Sequence, residues 1–352
     1  MNKRDSYFLV LGITQECNLN CAYCYMGKRE NKRMPDEVIK KGIDYALFKA
    51  HFVHVQFTGG EPSLYLNGMR RTVDYLEKKE ARYILSLQTN AMSLSDEIIE
   101  FIKTNRIGLG ISCDGFFEGS AMRDSKKNFK SYSKKLLHTL MKLSEHGIKT
   151  GITCVVTASN VKRLNELFDF LSTLNSVASL HLSPVRLVGK AKNKTEMLPD
   201  PLEYESQLHK LLFKAEQYFR WKNAENSIRL RFLEAVKKNA VNSVPFKDCH
   251  LINDSGCFVN VYGEIYPCPS LSTDTDYLLG NVFIGIDEKR VLKVKELFKD
   301  KMKRCYDCHN LDQCSGGCFA RELNDRQGEF YKCLEFRVAN KVTSEGFVNV
   351  CC

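Results

Sequence analysis

From Tyr7 to about Arg186 the chain alternates between short apolar runs and longer stretches in which apolar residues return every three or four positions. A short apolar run bounded by polar or glycine-bearing turns reads as a buried strand, and the three-to-four spacing reads as an amphipathic helix. Strands are predicted at residues 8–13, 53–57, 83–87, 107–111, 151–156 and 180–182. Helices are predicted near residues 36–49, 68–79, 95–103, 132–146 and 161–173. Pro35 at a first turn, and Ser95 followed by Glu97 and Ile98, are ordinary helix starts. Repeated strand–helix units imply a parallel sheet, so the fold class is α/β, a partial (β/α)6 barrel of the TIM type.

In such a barrel the chemistry sits at the C-terminal ends of the strands. The polar, glycine-bearing segments of this chain fall on that one edge. A cysteine loop follows the first strand and Thr58-Gly59-Gly60-Glu61-Pro62 follows the second. Gln88-Thr89-Asn90, Ser112-Cys113-Asp114-Gly115, Thr157-Ala158 and Pro184-Val185-Arg186 follow the next four. Scattered structural residues would not be expected to line up in this way.

Residues 1–190 therefore read as the barrel, and residues 191–245 as a charged helical bridge broken near residues 199–202. The bridge holds the single tryptophan, Trp221. Residues 246–340 read as a small, short-stranded, turn-rich domain, and 341–352 as a tail. No internal repeat or low-complexity tract is visible.

The chain is long enough for a large domain and a smaller one, and its 43% hydrophobic content can fill a core. No run approaches the ~18 apolar residues of a membrane span. The N-terminal apolar run has no small-residue cleavage site and leads straight into the cysteine loop, so it reads as a strand and a cytoplasmic location is expected. Fifteen cysteines are many for that compartment, where disulfides are disfavoured and clustered thiols read as metal ligands. The net charge of +10 has no dominant basic tract, although Lys126-Lys127 and the stretches 190–194 and 299–304 are locally basic. A solvated surface is the simple reading, and an acidic peptide partner or a weak nucleic-acid contact is the alternative.

The loop after the first strand reads Cys17-Asn18-Leu19-Asn20-Cys21-Ala22-Tyr23-Cys24-Tyr25, a C-x3-C-x2-C spacing. A cubane iron–sulfur cluster normally takes four cysteines. Three leave one iron open to a substrate or cofactor, as a catalytic zinc site keeps one position open. Zinc ligands and incidental thiols compete for the bare spacing. One helix later, at a strand end, come Gly59, Gly60, Glu61 and Pro62. Two glycines let backbone approach a ligand, and the carboxylate can accept a charged hydrogen bond from an ammonium group.

Together these segments resemble the radical S-adenosylmethionine (radical SAM) enzymes, whose last loop cysteine is usually preceded by an aromatic residue, here Tyr23. The resemblance implies that Cys17, Cys21 and Cys24 hold a [4Fe–4S] cluster and that the Gly-Gly-Glu-Pro segment holds the amino group of S-adenosylmethionine. It implies further that Ser112 and Asp114 lie near the ribose and that Arg123 pairs with the cofactor carboxylate, a role suited to guanidinium. Arg123 is one residue off the family's usual spacing, and a surface arginine is the alternative. Gln88 and Asn90 either line the same pocket or cap a turn.

A second set, Cys305-x2-Cys308-x5-Cys314-x3-Cys318 and then Cys333, resembles the C-terminal half of a SPASM domain, the auxiliary-cluster extension of many peptide-modifying radical SAM enzymes. Upstream, Gly263-x4-Cys268 matches that domain's G-x4-C element, with Cys249 and Cys257 before it. By this resemblance Cys249, Cys257, Cys268 and Cys318 hold a first auxiliary cluster, and Cys305, Cys308, Cys314 and Cys333 a second. The expected cofactors are three [4Fe–4S] clusters and S-adenosylmethionine. Crossed use of one run between two clusters has precedent in ferredoxins, and two four-cysteine zinc ribbons are the competing reading. Cys113 and Cys154 read as buried free thiols, Cys351 and Cys352 as a disordered terminus, and His51, His54 and His181 as structural.

The implied reaction is reductive cleavage of the cofactor to a 5′-deoxyadenosyl radical, which abstracts hydrogen from a residue of a ribosomally made peptide to form a thioether or carbon–carbon crosslink, or a related oxidation. Anaerobic sulfatase maturases, which make formylglycine from cysteine or serine, are the alternative. They resemble the chain in length and in its Gly-Gly-Glu-Pro segment, but place a basic aspartate where Pro269 stands here. An iron–sulfur electron carrier or a zinc-stabilised binding protein is the alternative of another class. Expected partners are a peptide or protein substrate and a low-potential donor, flavodoxin or ferredoxin. The chain begins about six residues before its first strand, so recognition of any leader is expected from a separate protein or the bridge.

Overall fold

The computed structural model describes residues 3–116, 122–123, 129–222, 228–235, 245–246, 249–322 and 331–344. Cys351, Cys352 and Lys126-Lys127 lie outside them. The described strands form one open sheet in the order β11-β10-β9-β8-β1-β2-β3-β4-β5-β6-β7. The half-barrel strands are β1 (Arg4–Thr14), β2 (Ala50–Gly59), β3 (Arg82–Thr89), β4 (Gly108–Ser112), β5 (Thr150–Val156) and β6 (Val177–Pro184), all paired in parallel. Helices α1 (Asp36–Lys49), α2 (Leu66–Lys78), α3 (Asp96–Thr104), α4 (Phe129–Glu145) and α5 (Leu164–Leu171) fill the connections. The predicted elements are all present, with most strands longer at their ends because polar residues there still complete the ladder. Ser95 caps α3 by accepting from the Ile98 N–H at 3.3 Å. Pro35 sits one position earlier than expected, at the N-cap of α1, ahead of Asp36 and Glu37, acidic residues suited to the helix N-terminus.

The pleat sorts the sheet's two faces. On one, Tyr7, Leu9 and Leu11 are buried against α1, with the Tyr7 and Tyr45 rings 6.0 Å apart. On the other, Gln56, Gln88, Ser112, Thr153 and His181 are part-buried between fully buried neighbours. A polar interior edge is thus enclosed by an apolar sheet–helix layer.

The bridge departs from a plain helical spacer. It holds α6 (Pro201–Lys222), but also β7 (Arg229–Leu230), which extends the parallel sheet beside β6. The C-terminal segment is not a detached cap. Its strand β8 (Gly256–Val259) pairs in parallel with β1, and β9 (Glu264–Tyr266), β10 (Gly280–Asn281) and β11 (Gly285–Ile286) continue antiparallel. It also carries two fourteen-residue helices, Glu288–Lys301 and Tyr331–Ser344. The first is crowded with charge and buries only Val294 and Phe298, so its periodic signal is thin. Its start is fixed by Asp287, whose side chain accepts from the Lys289 and Arg290 N–H groups. The second packs on α6, where Tyr204 donates to Glu335 at 3.0 Å. Among the described residues no helix is long and apolar enough to cross a membrane.

Candidate active site

The loop of Cys17, Cys21 and Cys24 is held from several strand ends. The Gly60 N–H donates to Thr14 O and the Glu61 N–H to Glu16 O, both at 2.7 Å. Asn90 donates through Nδ2 to Asn18 Oδ1 at 2.8 Å, with Cys17 Sγ at 3.8 Å. The Ala22 N–H donates to Met122 O at 2.8 Å, and the Lys190 N–H to Cys24 O at 2.9 Å. All three thiols are part-buried. Burial pushes the Cys21 thiol up to about 12, with Arg123 opposing and the Cys24, Asp114 and Cys17 charges reinforcing. These thiols therefore face one another closely enough to repel as thiolates. A bound cation or cluster would reverse that, because metal binding takes the deprotonated form.

Gly59 and Gly60 have a different first role from the one their sequence suggests. A Cβ on Gly59 would lie 2.3 Å from Thr14 O, and one on Gly60 2.1 Å from Glu16 O. They let the β2 loop press against the backbone that opens the cysteine loop. Gly59 also has φ +121°, which L side chains rarely adopt.

Glu61 is 1% exposed. Its Oε1 accepts from the Ser63 N–H at 3.1 Å, Ser63 Oγ at 2.6 Å and Thr89 Oγ1 at 2.6 Å. Its Oε2 accepts from the Asn90 N–H at 2.7 Å. Burial pushes the carboxyl up, and these donors pull against it. A carboxylate offers about four lone-pair sites over two oxygens, so Oε2 keeps room for an ammonium donor. Pro62 opens the short turn Pro62–Tyr65 that places Ser63.

Tyr23, Asp114 and Arg123 form one buried group beside Cys21. The Tyr23 hydroxyl donates to Asp114 Oδ2, Arg123 donates to Asp114 Oδ1 at 2.8 Å, and the Val155 N–H donates to the same oxygen at 2.8 Å. Arg123 is thus no surface arginine, and its Nε is buried without a partner. An orphaned guanidinium N–H beside the loop suits an anionic group of a bound cofactor. Asp114 is committed to this pair and a backbone N–H. Ser112, by contrast, stands at the polar interior and accepts from Gln88 Nε2 at 3.0 Å. The residues present fit an open cluster with a zwitterionic partner.

The second cysteine set separates into groups. Cys305, Cys308, Cys314 and Cys333 all line one cavity of about 240 Å³. Cys268 lies within electrostatic reach of Cys318 and Cys249. Cys257, expected with those three, stands on β8, where it hydrogen-bonds Tyr7 and feels the charges of Asp254 and Lys49. Among the described residues no three such side chains converge on a point suited to one metal ion. Sequence reasoning also missed Lys190, which reaches the cysteine loop, and the place of Arg186, which bonds Cys318. Arg186 carried only the signal of a basic residue after a strand.

Residues 11–171 match the family described as the Radical SAM superfamily. Over 302 residues the chain is 33% identical to an uncharacterized protein of Methanocaldococcus jannaschii, covering 85% of this chain and 94% of the relative. It is 22% identical over 339 residues to a cysteine-type anaerobic sulfatase-maturating enzyme of Clostridium novyi, covering 88% of this chain and 87% of that one. The solved structure described as native anSMEcpe with bound AdoMet and Cp18Cys peptide superposes with a TM-score of 0.78 at 22% identity, over 99% of each chain. An open parallel sheet with a three-cysteine loop after its first strand, and a buried carboxylate after its second, defines a cluster-dependent radical enzyme. The chain belongs to the radical SAM superfamily.

Proposed function

We propose that this enzyme oxidises a residue of a ribosomally made peptide to form a crosslink, using a cluster on Cys17, Cys21 and Cys24 and S-adenosylmethionine beside it. The observation that carries the reading is the lattice joining Glu61, Asn90 and the cysteine loop. Bound there, cluster and cofactor supply a carbon-centred radical able to take hydrogen from an unactivated C–H bond. The chain's own residues position and exclude water. Glu61 fixes the ends of β2 and β3 and offers Oε2 to the cofactor's ammonium. Arg123, held by Asp114 and Tyr23, offers its free Nε to the carboxylate. Ser112 and Gln88 line the interior where the nucleoside would lie.

Cys305, Cys308, Cys314 and Cys333 around their cavity support a second cluster, and Cys249, Cys268 and Cys318 a third. These would take the electron that substrate oxidation releases. A flavodoxin or ferredoxin is the expected reductant for the first cluster. The likeness to a maturating enzyme, and to a structure with a bound peptide, supports a peptide or protein substrate. Pro269 favours crosslinking over aldehyde formation. It opens a short turn directly after Cys268, and a proline side chain cannot take a proton.

A second reading, formylglycine formation, is favoured by the near full-length likeness to sulfatase-maturating enzymes. The test is turnover of the reconstituted enzyme with a short peptide bearing Cys-x-Pro-x-Arg, followed by mass spectrometry. An aldehyde product would replace the crosslinking reading. Consumption of S-adenosylmethionine without aldehyde, and a two-hydrogen loss on a cysteine-containing precursor peptide, would support it.

A further inference from the structure

Two neighbouring turns at the edge of the sheet that bears the cysteine loop carry exposed apolar side chains. One is residues 260–263 between β8 and β9, and the other is residues 282–284 between β10 and β11. Because β8 runs parallel to β1, and Asn281 of β10 lies opposite both Glu264 and Gly285, both turns project from that edge. They are joined: the Val282 N–H donates to Gly263 O at 2.8 Å, and Asn281 Nδ2 to Tyr262 O at 3.2 Å. Tyr262 is 41% exposed, Phe283 47% and Ile284 88%. Turns favour glycine and small polar residues. A single exposed apolar side chain needs no explanation, but three on two joined turns form an apolar lip.

The lip is fastened to the run that follows the cysteine loop. The Tyr262 hydroxyl donates to Glu30 Oε2 at 3.0 Å, and the Lys32 ammonium stands 4.7 Å from the centre of the Tyr262 ring. The turn after β6 meets the same run, since a Cβ on Gly27 would lie 3.7 Å from Gly189 Cα. Residues 28–33 and 190–196, brought together in this way, hold seven cationic and two acidic side chains. Glu30 is taken by Lys32, and Arg33 by Glu16. Lys28, Lys192 and Lys194 are exposed and form no salt bridge among the described residues. The mouth of the site therefore has a surplus of positive charge, with an apolar lip to one side.

We propose that this edge reads the peptide substrate. An apolar or aromatic anchor residue packs on Phe283 and Ile284, and acidic residues nearer the reacting residue face Lys28, Lys192 and Lys194. The spacing follows from the sheet. The hairpin of β10 and β11 lies three to four strands beyond β1, roughly 15–20 Å at the usual strand separation. An extended chain covers that in about five or six residues, so the anchor stands about that far from the reacting residue. A membrane suits the lip less well, because Glu30 stands within it and would be repelled by an anionic lipid surface. The inference rests on the peptide-substrate reading of the proposed function.

The experiment is fluorescence anisotropy with the reconstituted full chain. The probe is a labelled synthetic peptide with a central cysteine, glutamates on both sides, and a phenylalanine about six residues away at each end. Replacing the phenylalanines by alanine should weaken binding ~10-fold, the scale of burying one such side chain. Phe283→Ser with Ile284→Ser should weaken it by a similar factor, and the two changes together should cost little more than either, since both remove one contact. Lysines in place of the glutamates should abolish binding, and added salt should weaken it.

Equal affinity for the alanine peptide, or for the doubly substituted chain, would overturn the anchor. Full affinity for the lysine peptide would overturn the charge preference, and equal binding with the phenylalanines moved beside the cysteine would overturn the spacing. Failure of every peptide to bind would overturn the proposal outright. So would flotation with phosphatidylglycerol vesicles that is lost in the substituted chain, which would give the lip to a membrane. Binding is read without turnover, so iron content and 5′-deoxyadenosine formation judge the radical reading separately. Anchor-dependent binding by a chain that makes no 5′-deoxyadenosine would overturn that reading and uphold the lip, and product from peptides that ignore the lip would do the reverse.

Discussion

The Glu61 carboxylate accepts the Asn90 N–H at 2.7 Å, while the Asn90 side chain reaches Cys17 Sγ at 3.8 Å. One asparagine therefore couples the buried charge at the end of β2 to the first cysteine of the loop after β1. Replacing Glu61 by glutamine keeps the shape but turns an amide N–H₂ toward either the Asn90 N–H or the Ser63 and Thr89 donors. The expected cost is ~2–4 kcal/mol of stability, since hydrogen bonds to a charged group are the strong ones. Formation of 5′-deoxyadenosine should fall by ~100-fold, the scale of a small misplacement. Thermal unfolding and product quantification check both, and a wild-type rate in Glu61→Gln would remove Glu61 from the cofactor site.

Gly60→Ala places a methyl 2.1 Å from Glu16 O. Backbone stands on both sides, so the cysteine loop must shift. The variant should lose about four irons, those of the N-terminal cluster, and keep the auxiliary iron. Full iron content would show that the loop tolerates displacement.

Asp114 and Arg123 form an ion pair with both side chains under a tenth exposed. Removing one partner from a buried pair leaves an uncompensated charge and costs ~3–5 kcal/mol. Asp114→Asn and Arg123→Gln should each lower the unfolding midpoint, and the double variant should lose less than their sum. Additive losses in a double-mutant cycle would show that the two groups act independently.

His181 predicts a pH response. Burial, followed by Arg321, Arg231, Arg186 and Lys332, lowers its pKa from the ordinary 6.5 to about 3. As pH falls below 6.5 the unfolded chain takes a proton at this residue and the folded chain does not. Its contribution to stability is therefore complete above 6.5 and lost progressively toward pH 3, at up to ~1.4 kcal/mol per pH unit. Thermal midpoints between pH 7.5 and 5 should fall, and His181→Gln should flatten that slope. An unchanged slope would assign the response to other groups.

Much of this was legible in the sequence because the half-barrel's signals are local. The strands around Leu9, Val55 and Leu87 are apolar runs with turn residues at their ends, and the cysteine loop and Gly-Gly-Glu-Pro lie on adjacent strand ends. What stayed hidden depends on contacts between distant residues. That Gly60 serves the Glu16 backbone, or that Arg123 is spoken for by Asp114, has no mark in the spacing. The resemblance to a SPASM domain groups Cys257 with Cys249, Cys268 and Cys318 and carries no information on which way each side chain faces. In a strand, however, facing is set by the pleat, and pairing with Leu9 turns Cys257 toward α1. β7 escaped notice because a strand of two residues carries no period at all.

The most direct test is iron and sulfide per chain after anaerobic reconstitution, together with 5′-deoxyadenosine formed from S-adenosylmethionine under reduction. Wild type is set beside the chain with Cys17, Cys21 and Cys24 changed to alanine. About twelve irons falling to about eight, with 5′-deoxyadenosine abolished in the variant, is the expected result. Equal iron in both chains, or 5′-deoxyadenosine made by the variant, would contradict a radical site on these three cysteines.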